Sequence, residues 1–278
     1  MDDVRIGEVV VGDGRPLTLI SGPCVLEDVD LALRIAETLR RETERRGFQY
    51  VFKSSYEKDN RGKPEGYSGP GLEKGLEQLS RIRREVGVPV LSDVHREADV
   101  SAAAEVLDVL QVPAFLCQQT SLLVKVGEAG RPVNVKKGQF LAPEDMRSAV
   151  EKLRFTGNRQ VLLTDRGTSF GYHRLVFDVR GVQIMKELGC PVVVDPTHIV
   201  RIYGRPSSDP AGGEPQFAHV LARAGVAAGA NALFIETHPA PFEAACDAAS
   251  MLRLGDQLPQ LLDQVRPLAE AVRERGLA

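Results

Sequence analysis

The segment FKSSYEKDNRGKPEG, residues 52–66, gathers four cations into one short stretch: Lys53, Lys58, Arg61 and Lys63. They follow an apolar run that reads as a strand. Lys136 and Arg166 again close short apolar runs further along the chain. Lysine and arginine side chains taken out of water repel one another unless an anion joins them. Arginine offers a flat fork to a phosphate or carboxylate, and lysine a point charge. Such a set suits a small, strongly anionic metabolite. Solvated ion pairs to Glu57, Asp59 or Glu65 are the plainer reading, above all for Lys63.

A second set is Cys24, His198, Glu236 and Asp247. One thiol, one imidazole and two carboxylates are donor types suited to a divalent ion such as Fe, Mn, Co or Zn. Spacing alone leaves a packed thiol and structural carboxylates equally open. The cysteines Cys24, Cys117, Cys190 and Cys246 show no CxxC pairing, so a disulfide framework is not expected.

Both sets fall at the ends of predicted strands. Eight apolar, β-branched runs recur along the chain: LTLISGP, QYVFKSS, PVLSDVH, VLQVPAF, PVNVKKG, VLLTDRG, PVVVDPTH and ALFIETH. They close in turn on Ser21 to Cys24, Lys53 to Ser55, Asp93 with His95, Gln111 leading to Cys117–Gln119, Asn134 with Lys136 and Lys137, Asp165 with Arg166, Asp195 with His198, and Glu236 with His238. Amphipathic stretches lie between the runs, among them LEDVDLALRIAETLRRETERRG, LEKGLEQLSRIRREVG, PEDMRSAVEKLRF and PQFAHVLARAGVAAG. This alternation predicts one α/β domain over residues 1–278, a (β/α)8 TIM barrel, with an open doubly wound sheet as the rival. In a barrel the C-terminal strand ends share one rim. Eight polar sets would converge there, which makes an enzyme the leading reading.

The segment VRIGEVVVGDGRPLTLI predicts a short N-terminal hairpin within residues 1–16, turning at Gly12-Asp13-Gly14 and placed to cap the barrel floor. Residues 203–215 are rich in Gly, Pro and Ser and predict a mobile loop beside the site. With 278 residues and a formal net charge of −3, the chain is long enough for one large core and does not look like a nucleic-acid scaffold. No apolar run approaches a bilayer span, and the acidic opening MDDVRIGEVV is unlike a secretory leader, so a soluble, cytoplasmic protein is expected.

The segments GPCVLED, FKSSYEKDNR, SDVH, QVPAFLCQQT, RPVNVKKGQFLAP, TDRGTSFGY, DPTH and IETHPAP…CDAAS, in that order over nearly the whole chain, resemble the 3-deoxy-D-manno-octulosonate 8-phosphate (KDO8P) synthases. GPC is shared with the related 3-deoxy-heptulosonate 7-phosphate (DAHP) synthases. KDNR, where those enzymes carry a KPRTS-like segment, favours the octulosonate branch. The resemblance implies a transferase of lipopolysaccharide biosynthesis, a homotetramer. It would condense phosphoenolpyruvate with an aldose phosphate, D-arabinose 5-phosphate, and release inorganic phosphate. It implies that Lys53, Lys58, Gln111, Lys136 and Arg166 hold phosphoenolpyruvate and that Asn60 and Arg61, with Lys63, hold the sugar phosphate. Asp93 and Phe115 join the substrate-binding candidates, and Lys53, Lys58, His198 and Asp247 the catalytic ones. Metal-dependent members carry Cys where the others have Asn. Cys24 occupies that position, and His198, Glu236 and Asp247 match the remaining ligand positions.

Three segments depart from the family pattern. Gly62 replaces a serine, Gln118 an arginine, and His173-Arg174 an Asn-Asn pair. The first two changes remove contacts to the acceptor phosphate, with Lys63, Arg174 or Arg205 as replacements. Erythrose 4-phosphate and an unphosphorylated aldose therefore stand as alternative acceptors. Two other classes remain: a Schiff-base aldolase using Lys53 or Lys136, and a non-catalytic phosphometabolite sensor. His219 reads as structural, and His238 carries no assignment.

Overall fold

A computed structural model describes residues 1–59, 66–206 and 209–276. Eight parallel strands close on themselves: β3 (Thr18–Gly22), β4 (Gln49–Lys53), β5 (Val90–Asp93), β6 (Val109–Val112), β7 (Val133–Lys136), β8 (Val161–Asp165), β9 (Val192–Val194) and β10 (Ala232–His238). β10 pairs with both β9 and β3, which completes the ring. The result is a (β/α)8 barrel, not the open sheet. All eight apolar runs form the strands expected of them.

Helices cover the outside, among them α1 (Val29–Glu44), α2 (Leu72–Val86), α5 (Met146–Phe155), α8 (Ala218–Ala227) and the C-terminal α9 (Gln257–Arg275). α1 starts where the Asp28 carboxylate accepts the Leu31 amide at 2.8 Å, and α2 stops at Gly87, which takes the left-handed φ of +72°. No helix among the described residues is long and apolar enough to cross a membrane.

The interior follows the two-residue strand period. Ile20, Val51, Leu91, Val109, Leu162, Val193, Ala232 and Phe234 form one buried cluster inside the ring. Their neighbours Leu19, Phe52, Val90, Leu110, Val133, Leu163, Val192 and Leu233 belong to the separate cluster beneath the helices. One step further along, the inward positions turn polar: Lys53, Asp93, Gln111, Lys136, Thr164, Asp195 and Glu236. The barrel is thus apolar at its floor and ionic at its rim.

The hairpin is present, but its turn is not at Gly12-Asp13-Gly14. β1 (Val4–Ile6) and β2 (Val9–Val11) pair antiparallel around Gly7-Glu8, with Gly7 at φ +59°. That register sends Val4, Ile6, Val9 and Val11 into the barrel's inner cluster, where they plug the floor. A turn at residues 12–14 would leave those four without a common face. Residues 12–15 form the connection to β3, with the Arg15 amide donating to Gly12 O.

Candidate active site

Two tight backbone features build the rim near Cys24. A Cβ on Gly22 would sit 2.1 Å from Lys53 O, so only glycine lets β3 approach β4 there. That approach brings Lys53 Nζ to 2.9 Å from Cys24 O and 3.1 Å from Glu236 Oε1. At the far side, Asp247 holds a φ of +52°, unusual for a residue with a Cβ.

Asp195 anchors the neighbouring sector. Its side chain accepts the His198 backbone amide at 3.0 Å and the Thr197 hydroxyl at 3.1 Å, capping the short helix Pro196–Ile199. Its Oδ2 takes Lys136 Nζ at 2.8 Å. His198 Nδ1 also lies 2.8 Å from Oδ2, but off the line of the ring N–H. Lys136 Nζ stands 3.6 Å from the centre of the Phe234 ring. Burial pulls the Lys136 ammonium below the ordinary lysine range despite Asp195, and Lys53 and Arg166 add to the pull. Burial likewise holds His198 below its usual range, so the neutral ring is favoured.

A chain of hydrogen bonds crosses the opposite sector. Thr164 Oγ1 donates to Asn134 Oδ1 at 2.7 Å, Asn134 Nδ2 to Gln111 Oε1 at 2.8 Å, and Gln111 Nε2 to Asp93 Oδ1 at 2.7 Å. Ser55 Oγ closes the chain on Asp93 Oδ2 at 2.5 Å. Burial disfavours the Asp93 anion, yet Lys53, His95 and Lys136 hold it well below the carboxylate range. Asp93 is therefore tied to Ser55 and Gln111, and not to His95 two residues on.

The predicted metal donors fall in two groups that share Asp247. Cys24 Sγ donates to Asp247 Oδ2 at 3.2 Å, and one donor atom each from His198, Glu236 and Asp247 lies within 4.8 Å of the others. Lys58 Nζ sits among them, 2.6 Å from Cys24 Sγ and bonded to Asp247 Oδ2, while Arg201 bonds the other Asp247 oxygen. The Lys58 ammonium stands where a cation balances these donors. Burial opposes its charge, but Asp247, Cys24, Cys246 and Glu236 hold it well above the ordinary range. Glu236 Oε2 is buried with no partner among the described residues. Sulfur, nitrogen and two carboxylates with one orphaned oxygen fit a divalent transition ion.

The cleft above these groups is lined by Lys53, Lys58, Asp93, His95, Phe115, Lys136, Arg166, His198 and Glu236, with Pro113 and Ala114, and has about 410 Å³ of open space including its mouth. Phe115 reaches the cleft while remaining 51% exposed. Arg166 is 7% exposed, its Nε is buried, and no carboxylate pairs with it among the described residues. A hollow at the opposite barrel end, lined by Arg45, Arg46, Arg266 and Arg273, differs, because Glu42, Asp263, Glu270 and Glu274 answer those cations.

Asn60, Arg61 and Lys63, like Gly62, lie outside the described residues. Arg174 is bound to Glu214 Oε2 at 2.6 Å and is not a free replacement cation. The described part of 203–215 is tied down by Ile202 N to Gly212 O and by Gln139 Nε2 to the Tyr203 hydroxyl at 2.8 Å. His219 contacts Gln264 from α8, as a structural residue would. Sequence reasoning passed over Phe234, Arg201 and Cys246. Arg201 lies three residues past His198, and Cys246 directly precedes Asp247, so adjacency to a candidate ligand was the available signal.

Fold and site together define a (β/α)8 barrel whose rim joins a cationic cleft to a cluster of soft and hard metal donors. Residues 3–273 match the DAHP synthetase I family, and the chain belongs to that family. It is 48% identical over 272 residues to a protein of Syntrophotalea carbinolica, covering 98% of each chain. It is 52% identical over 252 residues to one of Acidithiobacillus ferrooxidans, covering 91% of this chain and 89% of the other. A Protochlamydia amoebophila protein is 45% identical over 276 residues, 99% of this chain and all of the other. Each of the three is named 2-dehydro-3-deoxyphosphooctonate aldolase.

Proposed function

We propose that this chain condenses phosphoenolpyruvate with D-arabinose 5-phosphate to form 3-deoxy-D-manno-octulosonate 8-phosphate and inorganic phosphate, the product named, in the sense of cleavage, for its relatives. The observation that carries the anion half is Arg166, nearly buried and without a carboxylate partner among the described residues, in one cleft with Lys53, Lys58 and Lys136. An unpaired buried guanidinium beside three ammonium groups is costly unless an anion completes it.

In this reading Arg166, Lys136 and Lys53 hold the phosphate and carboxylate of phosphoenolpyruvate and orient its C3 toward the aldehyde carbon. C3 forms the new bond, the aldehyde oxygen takes a proton, and positive charge develops at C2. Asp93, Asp195 and Glu236 pair with Lys53 and Lys136 and so fix where those ammonium groups stand. Water adds at C2 and loses a proton, and the hemiketal phosphate then expels inorganic phosphate. Gln111, fixed by Asp93 and Asn134, presents a rigid polar wall. The neutral His198 ring leaves a nitrogen lone pair available to ligate an ion. A divalent ion held by Cys24, His198, Glu236 and Asp247 would supply Lewis acidity toward an aldehyde or water oxygen. Asn60, Arg61 and Lys63 are assigned to the sugar phosphate by resemblance. A homotetramer is assigned by resemblance, and light scattering in solution tests it. The cytoplasm is the proposed compartment.

The test is phosphate release from phosphoenolpyruvate with arabinose 5-phosphate, erythrose 4-phosphate and free arabinose, before and after exhaustive chelation and with Zn, Mn, Co or Fe(II) added back. Release that requires arabinose 5-phosphate and a restored ion supports the assignment. Release with none of the aldoses sinks it, and undiminished release after chelation removes the metal from it.

A further inference from the structure

A second buried thiol stands beside the proposed metal donors. Cys246 Sγ, Cys24 Sγ and an Asp247 carboxylate oxygen all lie within 4.8 Å of one another. Both cysteines are 2% exposed and free. Consecutive residues of an extended chain point to opposite sides. Cys246 and Asp247 are consecutive, yet both reach Cys24, because Asp247 takes the left-handed φ of +52°. Such a backbone is strained and persists where the surroundings require it.

Resting on the metal reading above, we propose that Cys246 is a further ligand of the bound ion, giving a two-thiolate donor set that selects thiophilic ions such as Zn(II) over Mn(II). The alternative is that Cys246 only packs against Val25 and Met251, its neighbours in a small apolar cluster. Binding exchanges protons for metal: each thiol loses its proton to solvent as its sulfur takes the ion, two protons for two sulfurs, with no redox change. Thiolates favour zinc over manganese because manganese prefers oxygen donors.

The deciding measurement is zinc K-edge X-ray absorption on the wild-type protein loaded with one zinc per chain. Two sulfur scatterers at about 2.3 Å are expected. One sulfur overturns the proposal and leaves the metal reading intact, whereas failure to retain zinc overturns both. Cys246→Ser should reduce the two sulfurs to one, and in the Co(II)-loaded protein it should cut the sulfur-to-cobalt charge-transfer band by about half, one of two thiolate ligands being lost. An unchanged band in a folded Cys246→Ser protein refutes the assignment. If that variant does not fold, the wild-type sulfur count decides alone.

Discussion

Replacing Arg166 with Gln separates a substrate-binding cation from a structural one. Arg166 is 7% exposed and makes no ion pair among the described residues. A buried structural arginine loses about 3–5 kcal/mol when its pair is broken. At about 2–4 °C per kcal/mol for a chain approaching this size, that would lower the melting temperature by on the order of 10 °C. Here no partner is orphaned, so Arg166→Gln should melt at or slightly above the wild-type temperature. Function should suffer instead. Losing one charge-assisted contact costs about 1.5–3 kcal/mol, roughly a ten- to hundredfold or greater fall in kcat/KM for phosphoenolpyruvate. Ligand protection supplies a second readout. At phosphoenolpyruvate near 100 times the wild-type Kd, the wild type gains about 2.7 kcal/mol, while a variant binding roughly thirtyfold more weakly gains less than about 1 kcal/mol. Thermal unfolding with and without phosphoenolpyruvate, beside a phosphate-release assay, reads all three quantities. A melting temperature lowered by on the order of 10 °C with kcat/KM unchanged would refute the reasoning.

Because burial lowers the Lys136 pKa, kcat/KM for phosphoenolpyruvate should decline with rising pH from below the ordinary lysine range, as the ammonium that binds the anion is lost. In Lys136→Arg the guanidinium stays charged, so pH–rate profiles should show that limb moved upward or gone. The depressed Asp93 pKa contributes stability that is complete above the unfolded carboxylate range and lost as pH falls through the folded value. Asp93→Asn should therefore be less stable than wild type at pH 7, with the gap in denaturant midpoints closing below about pH 4. Ile6, 1% exposed in the floor plug, should cost about 2–5 kcal/mol on replacement by Ala, read by denaturant melts, with kcat unaltered because the plug is remote from the rim.

The barrel was legible because each strand run carries its own alternation. In QYVFKSS, Val51 faces the inner cluster, Phe52 the helices, and Lys53 the rim, so the local pattern already separates floor, shell and site. The hairpin shows the limit of that signal. Gly12-Asp13-Gly14 has good turn chemistry, but the packing of Val4, Ile6, Val9 and Val11 into the barrel outweighs it and moves the turn to Gly7-Glu8. Residue types at strand ends singled out Lys53, Lys136 and Arg166 as candidates for the rim, and donor chemistry singled out Cys24, His198, Glu236 and Asp247 as candidate ligands. Contacts that depend on where loops return were not readable. Arg201 meets Asp247 across 46 residues, and Ser55 rather than His95 takes Asp93. Asp195 was visible only as another strand-end acid. Its position under both Lys136 and His198 follows from the short helix that it caps.

Lys58 links the two halves of the rim and yields a sharper consequence. Its ammonium lies on Cys24 Sγ and Asp247 Oδ2, both proposed ion ligands, yet the residue also lines the anion cleft. A divalent ion and that ammonium cannot share the same donors without strong repulsion at such separations. Loading the site should therefore turn Lys58 out toward the cleft, where it adds a cation for phosphoenolpyruvate. Metal and phosphoenolpyruvate must then strengthen each other's binding by the same factor, since coupling free energy is reciprocal. One gained charge-assisted contact sets that factor at about ten- to a hundredfold. Titration calorimetry of phosphoenolpyruvate into metal-free and zinc-loaded protein measures it in one direction, and zinc competition with and without phosphoenolpyruvate in the other. Lys58→Met keeps the field of the ion but removes the swinging charge, so its coupling should shrink. Equal coupling in Lys58→Met and wild type would show that the ammonium does not move between the two sites.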